Sequence, residues 1–154
     1  MDPRRRAFAD HMGLNRSLSL WVTTCIRKNG WVPFLFFTLH LVVSKGFDAY
    51  LILPWLDIPM HFFGGVAIAY FYWTSILHAL AVPVLGELSA FGKQLLAVAA
   101  VGATTVIWEF AEWFTDQIGL TEAQLSLDDT LLDMALGLLG GAIFVLLAGK
   151  NAIK

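Results

Sequence analysis

Long stretches without a charged side chain are the feature that most constrains this chain. The longest extends from Ile58 to Gly86, and two others lie between Lys93 and Glu109 and between Asp133 and Lys150. A helix that crosses a membrane needs about 20 mostly apolar residues, so these stretches mark candidate spans. The composition agrees, with 58% hydrophobic and 14% charged residues, whereas soluble domains contain about 45–50% apolar and about 25% charged residues. Disorder, nucleic-acid binding and an ordinary cytosolic enzyme are therefore excluded.

The apolar stretches predict an all-α fold, a polytopic membrane helical bundle with four transmembrane helices. We place the spans at residues 31–50, 60–82, 94–115 and 130–149. The first is short unless it continues through the segment GFDAYLIL. The chain of 154 residues is long enough for one such domain, which we take to be residues 31–154.

The first 30 residues differ from the rest because they are rich in arginine. Leu14, Leu18, Trp21 and Cys25 follow one another at helical spacing among these basic residues. That pattern is typical of an amphipathic helix lying on the membrane surface. No long apolar core follows the arginines, so the segment does not resemble a signal peptide. Cys25 is the only cysteine, which excludes a disulfide framework and a thiolate metal cluster.

The distribution of charge predicts the orientation. If the four spans alternate in direction, nine of the ten Lys and Arg residues fall on the side that holds both termini, and only Lys45 falls on the other. By the positive-inside rule the first side is cytoplasmic. We therefore expect a bacterial inner-membrane protein with both termini inside. Nine of the twelve acidic residues fall on the outer side or near it.

Several of these acids lie inside the apolar helix ends, in three groups. Asp57 and His61 are four residues apart, Glu109 and Glu112 are three apart with Asp116 four further on, and Asp129 and Asp133 are four apart. Residues at these spacings share one helix face, so three helices would direct carboxylates and an imidazole into one outer vestibule. Ionisable groups inside a span cost about 2.5–3.5 kcal/mol near the helix centre and normally mark a function.

The alternative interpretation is structural. Asp57 and either Asp128 or Asp129 are residue types that cap helix N-termini and suit the helix dipole there. Glu112 and Asp116 lie near a helix C-terminus, where the dipole disfavours acids, so capping does not explain them. We favour a functional polar site over interhelical hydrogen bonding alone.

The candidate site consists of a histidine with a set of carboxylates. We take His61 and Asp57 as candidate catalytic residues, and Glu109, Glu112, Asp129 and Asp133 as candidate ligands of a divalent cation together with His61. Oxygen-rich ligands suit Mg²⁺, Ca²⁺ or Mn²⁺, and a histidine among carboxylates also admits Zn²⁺ or Fe²⁺. A ferritin-like di-iron site would need two Glu-x-x-His motifs, which the chain lacks.

The remaining histidines and glycines suggest packing. His40 and His78 are single imidazoles within apolar surroundings, and we expect each to form hydrogen bonds between helices. The glycines in the second and fourth spans allow close helix approach, and Gly137 and Gly141 have GxxxG spacing.

Three motifs resemble those of a known family. The runs DIPMHFFGG from Asp57, EFAEW from Glu109 and DTLLDMALGLLG from Asp129 resemble the YjdF-type bacterial inner-membrane proteins. They are more remotely similar to the VanZ-like family. The resemblance covers about residues 50–145 and keeps the motif order. Ile58 replaces the usual Lys and Glu112 replaces the Gln of the VanZ-like pattern, which favours the YjdF-type grouping and disfavours a role in antibiotic resistance.

Two functions of different kinds fit these observations. One is a cation-dependent enzyme that acts at the outer leaflet on a lipid or lipid-linked substrate. Phosphate recognition usually employs Arg or Lys, and only Lys45 is near, so a metal ion would have to supply the positive charge. The other is a non-enzymatic component that binds cations or protons in transport, sensing or assembly. A third, purely structural interpretation makes the cluster a link between helices. The partner predicted in every case is the lipid bilayer, and nucleic acid is not expected.

Overall fold

The structure, a computed structural model, describes residues 3–47 and 49–152, with side chains for residues 13–44, 46–47, 49–50 and 52–150. Asp48 and the Lys45 side chain, both assigned to the outer side, lie outside the described part. Within that part every regular element is helical. The elements are α1 (Pro3–Asn29), α2 (Trp31–Leu41), a π-helical turn (Val42–Gly46), α3 (Ala49–Ile52), a 3₁₀ turn (Pro54–Leu56), α4 (Asp57–Leu77), a second 3₁₀ turn (Ala79–Ala81), α5 (Val82–Leu85), α6 (Ala90–Gln117) and α7 (Leu127–Ala152).

Three helical segments are long and apolar enough to cross a membrane: Pro54–Leu77, Ala90–Gln117 and Leu127–Lys150. They correspond to the second, third and fourth predicted spans. The region of the first predicted span contains a shorter apolar helical segment, Trp31–Ser44. Continuous α-helix there ends at Leu41, where the π-helical turn begins. The all-helical fold is confirmed, and a fourth span stays a prediction.

The helix boundaries differ from the predicted ones where a cap fixes them. α4 stops at Leu77 because His78 has an extended backbone (ψ 137°), and the His78 side chain accepts a hydrogen bond from the Leu80 amide. At the start of α7 the amide of Asp129 donates to Oγ of Ser126 at 3.1 Å. Ser126 therefore caps this helix, and the interpretation of Asp128 or Asp129 as its N-cap is wrong. The serine precedes the helix, as an N-cap must.

The N-terminal helix α1 packs against one end of α4. The indole Nε1 of Trp21 donates to the carbonyl oxygen of Ser75 at 2.9 Å, and Cys25 is buried. The residues predicted to form an apolar stripe thus include two that contact the bundle. An interfacial position of α1 in the membrane stays a prediction.

The apolar core lies where α4, α6 and α7 meet in the half of the bundle towards His78. Its members are small or branched apart from one indole, and they are Ala69, Trp73, Ile76, Ala97, Val101 and Val145. The hydroxyl groups of Tyr72 and Thr104 form a hydrogen bond of 2.8 Å between α4 and α6 at its edge. In a bilayer, helix association depends on such close packing and on hydrogen bonds, because lipid tails are as apolar as the side chains.

Close approach of α4 and α7 sets the register of the bundle. A Cβ atom at Gly65 would overlap the carbonyl oxygen of Gly137, and one at Gly140 would overlap the carbonyl oxygen of Phe62. The two helices run in the same direction because α6 returns the chain between them. One turn before Gly65 is His61, and one turn before Gly137 is Asp133. The glycine contact therefore brings this histidine and this aspartate together.

Candidate functional site

His61 lies at the centre of a polar cluster formed by three helices. Its Nε2 atom is 3.3 Å from Oδ1 of Asp57 on the same helix and 3.7 Å from Oδ2 of Asp133 on α7. Its Nδ1 atom is 3.9 Å from Oε1 of Glu109 on α6. Glu112, one turn after Glu109, completes the set. We call Asp57, His61, Glu109, Glu112 and Asp133 the His61 cluster.

The two ring nitrogens of His61 face different carboxylates. Asp57, His61 and Asp133 each offer an atom within 4.8 Å of the others, and so do His61, Glu109 and Glu112. Two ligands on opposite sides of a Ca²⁺ ion are about 4.8 Å apart, since each bond is about 2.4 Å. For octahedral Mg²⁺, with bonds of about 2.1 Å, that separation is about 4.2 Å, and the ligands of tetrahedral Zn²⁺ lie closer together still. Each triad therefore lies within the ligand-to-ligand span of a Ca²⁺ ion.

Burial makes this arrangement unfavourable unless its charge is compensated. Glu109 and Asp133 are each only 5% exposed, and Asp57, His61 and Glu112 are partly buried. Two unit charges about 4 Å apart interact by about 4 kcal/mol at an effective dielectric constant of about 20. Among the described side chains, His61 is the basic residue that forms ion pairs with these carboxylates, and no lysine or arginine does so. One imidazole cannot balance four carboxylates, so protons or a cation must.

Asp116, in the last turn of α6, stabilises the loop that follows this helix. Its Oδ1 accepts hydrogen bonds from the hydroxyl of Thr121 and, at 2.9 Å, from the amide of Ala123, while Oδ2 accepts from the amide of Gln124 at 2.9 Å. These bonds fold the loop back over the end of α6. An acid at this helix end, which capping does not explain, thus has a structural partner in the following loop.

The folded loop brings Gln124 to the cluster, a residue that sequence reasoning missed. Its Nε2 donates to the carbonyl oxygen of Glu109 at 3.0 Å and lies 3.4 Å from Oε2 of the same residue. The amide therefore orients the Glu109 carboxylate. No spacing pattern marks Gln124, because its position depends on the hydrogen bonds of Asp116.

Asp129 occupies a different position from the other predicted ligands. It lies one turn before Asp133, towards the start of α7, and it is absent from both groups of potential ligands found among the described residues. The structure thus brings together five of the six predicted site residues and leaves Asp129 outside both triads.

An aromatic group adjoins the cluster on the side of α2. The Tyr50 hydroxyl and Nδ1 of His40 form a hydrogen bond of 2.9 Å, and the His40 ring meets Trp108 edge-on at a centroid distance of 5.5 Å. His40 forms the hydrogen bond expected of it.

A cavity of about 260 Å³ begins at the cluster and extends between α2, α4 and α6. Its polar end contains His61 and Glu109, and the remainder is mostly apolar. The other lining residues are Pro33, Phe36, Phe37, His40, Met60, Gly64, Gly65, Ala67, Ile68, Thr104, Thr105, Trp108 and Gly137. Nothing in the sequence pattern predicts this cavity.

Comparison with known proteins identifies the family. The DUF2238 family model, described as predicted membrane protein, matches residues 22–152. The chain belongs to this family. The match includes the three candidate membrane helices and the whole His61 cluster, and it confirms the membrane character predicted from composition. The finer grouping as YjdF-type or VanZ-like stays a prediction.

A relative in Thermotoga maritima, described as an uncharacterized protein, is 33% identical over 109 residues. The aligned region covers 66% of this chain and 52% of the relative, so the chain spans about half the length of that protein. No solved structure matches the chain.

Proposed function

We propose that this is a multi-pass inner-membrane protein that binds a divalent cation at the His61 cluster and uses it in a reaction on a lipid or lipid-linked substrate. One observation carries the proposal. A histidine and four carboxylates from three helices form two triads that share His61, and in each triad the potential ligand atoms lie within 4.8 Å of one another. Buried carboxylates repel one another unless a positive charge lies between them, and a divalent cation is the simplest compensation.

The distances favour one position for the cation. The Nε2 atom of His61 is closest to Asp57, at 3.3 Å, whereas Nδ1 is 3.9 Å from Glu109. A histidine that binds a metal usually directs its other nitrogen towards a carboxylate. We therefore assign Nδ1 of His61, Glu109 and Glu112 as ligands, and Asp57 as the residue that orients the imidazole. Asp133 is a further ligand or the partner of a second cation, and Asp129, one turn away on α7, attracts cations towards the cluster.

A cation would supply the positive charge that the described part of the site lacks. Bound to Glu109, Glu112 and His61, it would polarise a phosphoryl oxygen or activate a water molecule. Arg and Lys usually bind phosphate in proteins, and the metal takes their place here. With one nitrogen and several oxygens as ligands, Mg²⁺, Mn²⁺, Ca²⁺, Zn²⁺ and Fe²⁺ remain open.

We further propose four spans, both termini in the cytoplasm and the His61 cluster near the outer surface. The support is the excess of Lys and Arg in the segments assigned to the inner side. Cysteine labelling tests this orientation in a Cys25→Ser background. An impermeant maleimide should label Glu122→Cys in intact spheroplasts and Glu87→Cys only after permeabilisation, since both positions are exposed. The reverse pattern would overturn the orientation.

Elemental analysis of the purified protein tests the proposed metal site. We expect one or two equivalents of a divalent metal in the wild type and a large loss in Glu112→Gln. The matched control is Glu122→Gln, which removes an exposed carboxylate in the loop and should retain the metal. A metal-free wild type whose melting temperature does not respond to added divalent cations would refute the proposal.

A non-enzymatic role is the second candidate, and the density of carboxylates favours it. Four acids around one imidazole could bind a cation or protons without any reaction. The two functions share the ligand set and differ in whether the protein turns over a substrate. Release of product from a lipid phosphate by metal-loaded protein, abolished in Glu112→Gln, would decide for the enzyme.

A further inference from the structure

The cavity next to the His61 cluster has a polar end and an apolar body. Phe36 and Phe37 line it from α2, and Ile68 lines it from α4. His61 and Ile68 are seven residues apart on one helix, so the cavity extends roughly 10 Å along the bundle axis at 1.5 Å per residue. Its long dimension therefore leads from the cluster into the apolar part of the protein.

The polar groups in the cavity wall are already engaged. The hydroxyl of Thr104 donates to the carbonyl oxygen of Ala100 at 2.9 Å, and that of Thr105 donates to the carbonyl oxygen of Gly102 at 2.8 Å. His40 is bonded to Tyr50. Because a buried water needs two to four polar partners, the body of the cavity is unsuited to ordered water and suited to an apolar occupant.

The size of the cavity limits what this occupant can be. The cavity is partly open to its surroundings, and its volume of about 260 Å³ is far larger than a water molecule. Pockets that enclose a whole drug-sized ligand have volumes of about 300–1,000 Å³. The cavity is thus too small for a lipid with two complete chains and large enough for part of one chain.

We propose that this cavity is a binding subsite for one hydrocarbon chain of an amphiphile whose head group lies at the His61 cluster. The assignment of the head group rests on the proposed function, but the chain subsite does not, because it depends on the apolar wall alone. The bilayer around the helices supplies such chains at high concentration. An amphiphile has an apolar chain joined to a polar head, and the apolar cavity joined to the charged cluster matches these two parts.

The bound cation determines which head group fits. Without it, the cluster has four carboxylates and one imidazole and attracts a cationic head. With it, the cluster accepts an oxyanion, which is a phosphate or a carboxylate. Both oxyanions share this chemistry, so the experiment compares lysophosphatidates with fatty acids, and alkyltrimethylammonium ions serve as the cationic probe.

Binding of these probes to the full-length protein in detergent micelles tests the subsite. In the wild type, affinity should increase with chain length and then become constant once the chain fills the cavity. Ile68→Trp fills the cavity and should weaken binding by about tenfold for every two methylene groups displaced, with the metal content unchanged. The matched control Ile107→Trp places the same side chain on an exposed part of α6 and should bind as the wild type does.

The outcomes separate the two proposals. Equal weakening by both tryptophan variants, or affinity that increases steadily with chain length, would overturn the chain subsite. If Ile68→Trp does not fold, the chain-length series on the wild type still decides. If the wild type binds no metal but shows the limit in chain length, the subsite stands and the metal site falls. If lysophosphatidates and fatty acids bind equally, the head site is selective for charge and not for phosphate.

Discussion

Helices α4, α6 and α7 meet at two levels, and the two levels differ in chemistry. Towards His78, Trp73, Val101 and Val145 form a close-packed apolar core. Towards the other end, the same three helices bring together His61, Glu109 and Asp133, beside a cavity. Among the described residues, the core of the first level contains no ionisable group, whereas the second level contains buried carboxylates and unfilled space.

This difference indicates which level stabilises the bundle and which level the proposed function would use. Van der Waals packing holds membrane helices together, and the apolar level supplies it. The polar level stabilises little by itself, because buried acids repel one another and a cavity forfeits contacts. The His61 cluster draws acids from three helices although this lowers stability, and the binding of a ligand is the best explanation for such an arrangement. Variants at the two levels should therefore have different effects.

The largest effect on stability and metal binding is expected at the contact between Gly65 and Gly137, which sets the register of α4 and α7. Gly65→Leu places a side chain against the backbone of Gly137 and should force α4 and α7 apart. Overpacking in a close-packed region costs about 1–3 kcal/mol and sometimes more, and a clash with backbone belongs at the upper end. We expect loss of folded protein in thermal unfolding and loss of metal together. Gly13→Leu is the control, since nothing lies within 4 Å of a Cβ there, and a stable, metal-binding Gly65→Leu would contradict the register argument.

The next prediction compares the two levels by making the same change, His to Gln, near each end of α4. His61→Gln removes the imidazole from the cluster, and we expect bound metal to fall to background. His78→Gln removes the group that accepts from the Leu80 amide at 3.2 Å, and it should cost about 1 kcal/mol of stability, as the loss of a cap does, without loss of metal. Metal content and melting temperature of both proteins check this. Equal metal loss in the two variants would mean that the effect is general destabilisation.

The sequence predicted the components of the polar level better than their arrangement. Spacings of three and four residues place Asp57 with His61, and Glu109 with Glu112, on one face of a helix. They do not determine which faces meet, because that depends on the contact between Gly65 and Gly137. The polar loop after α6 shows no periodicity, so the contact of Gln124 with Glu109 was not predictable.

The sequence pattern also could not predict where the α-helix in the first predicted span ends. An apolar stretch of 31–50 predicts a span by composition, but the backbone changes to a π-helical turn at Val42–Gly46. Hydropathy does not register such a change in winding. The three longer candidate spans overlap the predicted ranges, with ends that differ by up to six residues, because each has an uncharged stretch longer than this uncertainty.

A smaller effect is expected from the loop that covers the polar level. Gln124→Ala removes the donor that orients Glu109, and loss of a residue that orients a metal ligand lowers metal affinity by about 10–100-fold. We expect the lower end, because Gln124 also contacts a backbone carbonyl. Gln117→Ala, at an exposed position, is the matched control. Titration with a divalent metal measures the affinity of both variants. Unchanged affinity in Gln124→Ala would mean that the loop covers the cluster without orienting a metal ligand.

The smallest effect is expected for Asp129, and it tests how far the polar level extends along α7. The spacing of Asp129 and Asp133 predicts that both bind the cation, whereas the structure leaves Asp129 one turn outside both triads. If it acts only by attraction at a distance, Asp129→Asn should weaken metal affinity by about threefold or less, as for an exposed ion pair. The effect should disappear in high salt, which screens exposed charges.

Asp128→Asn is the control for this measurement, because it removes the neighbouring exposed carboxylate from the same turn. Two similar, salt-sensitive decreases would mean that both residues merely attract cations towards the cluster. A loss in Asp129→Asn as large as that in His61→Gln and insensitive to salt would instead make Asp129 a ligand. The start of α7 would then have to move inward when the cation binds, and the polar level would extend one turn further than the described geometry places it.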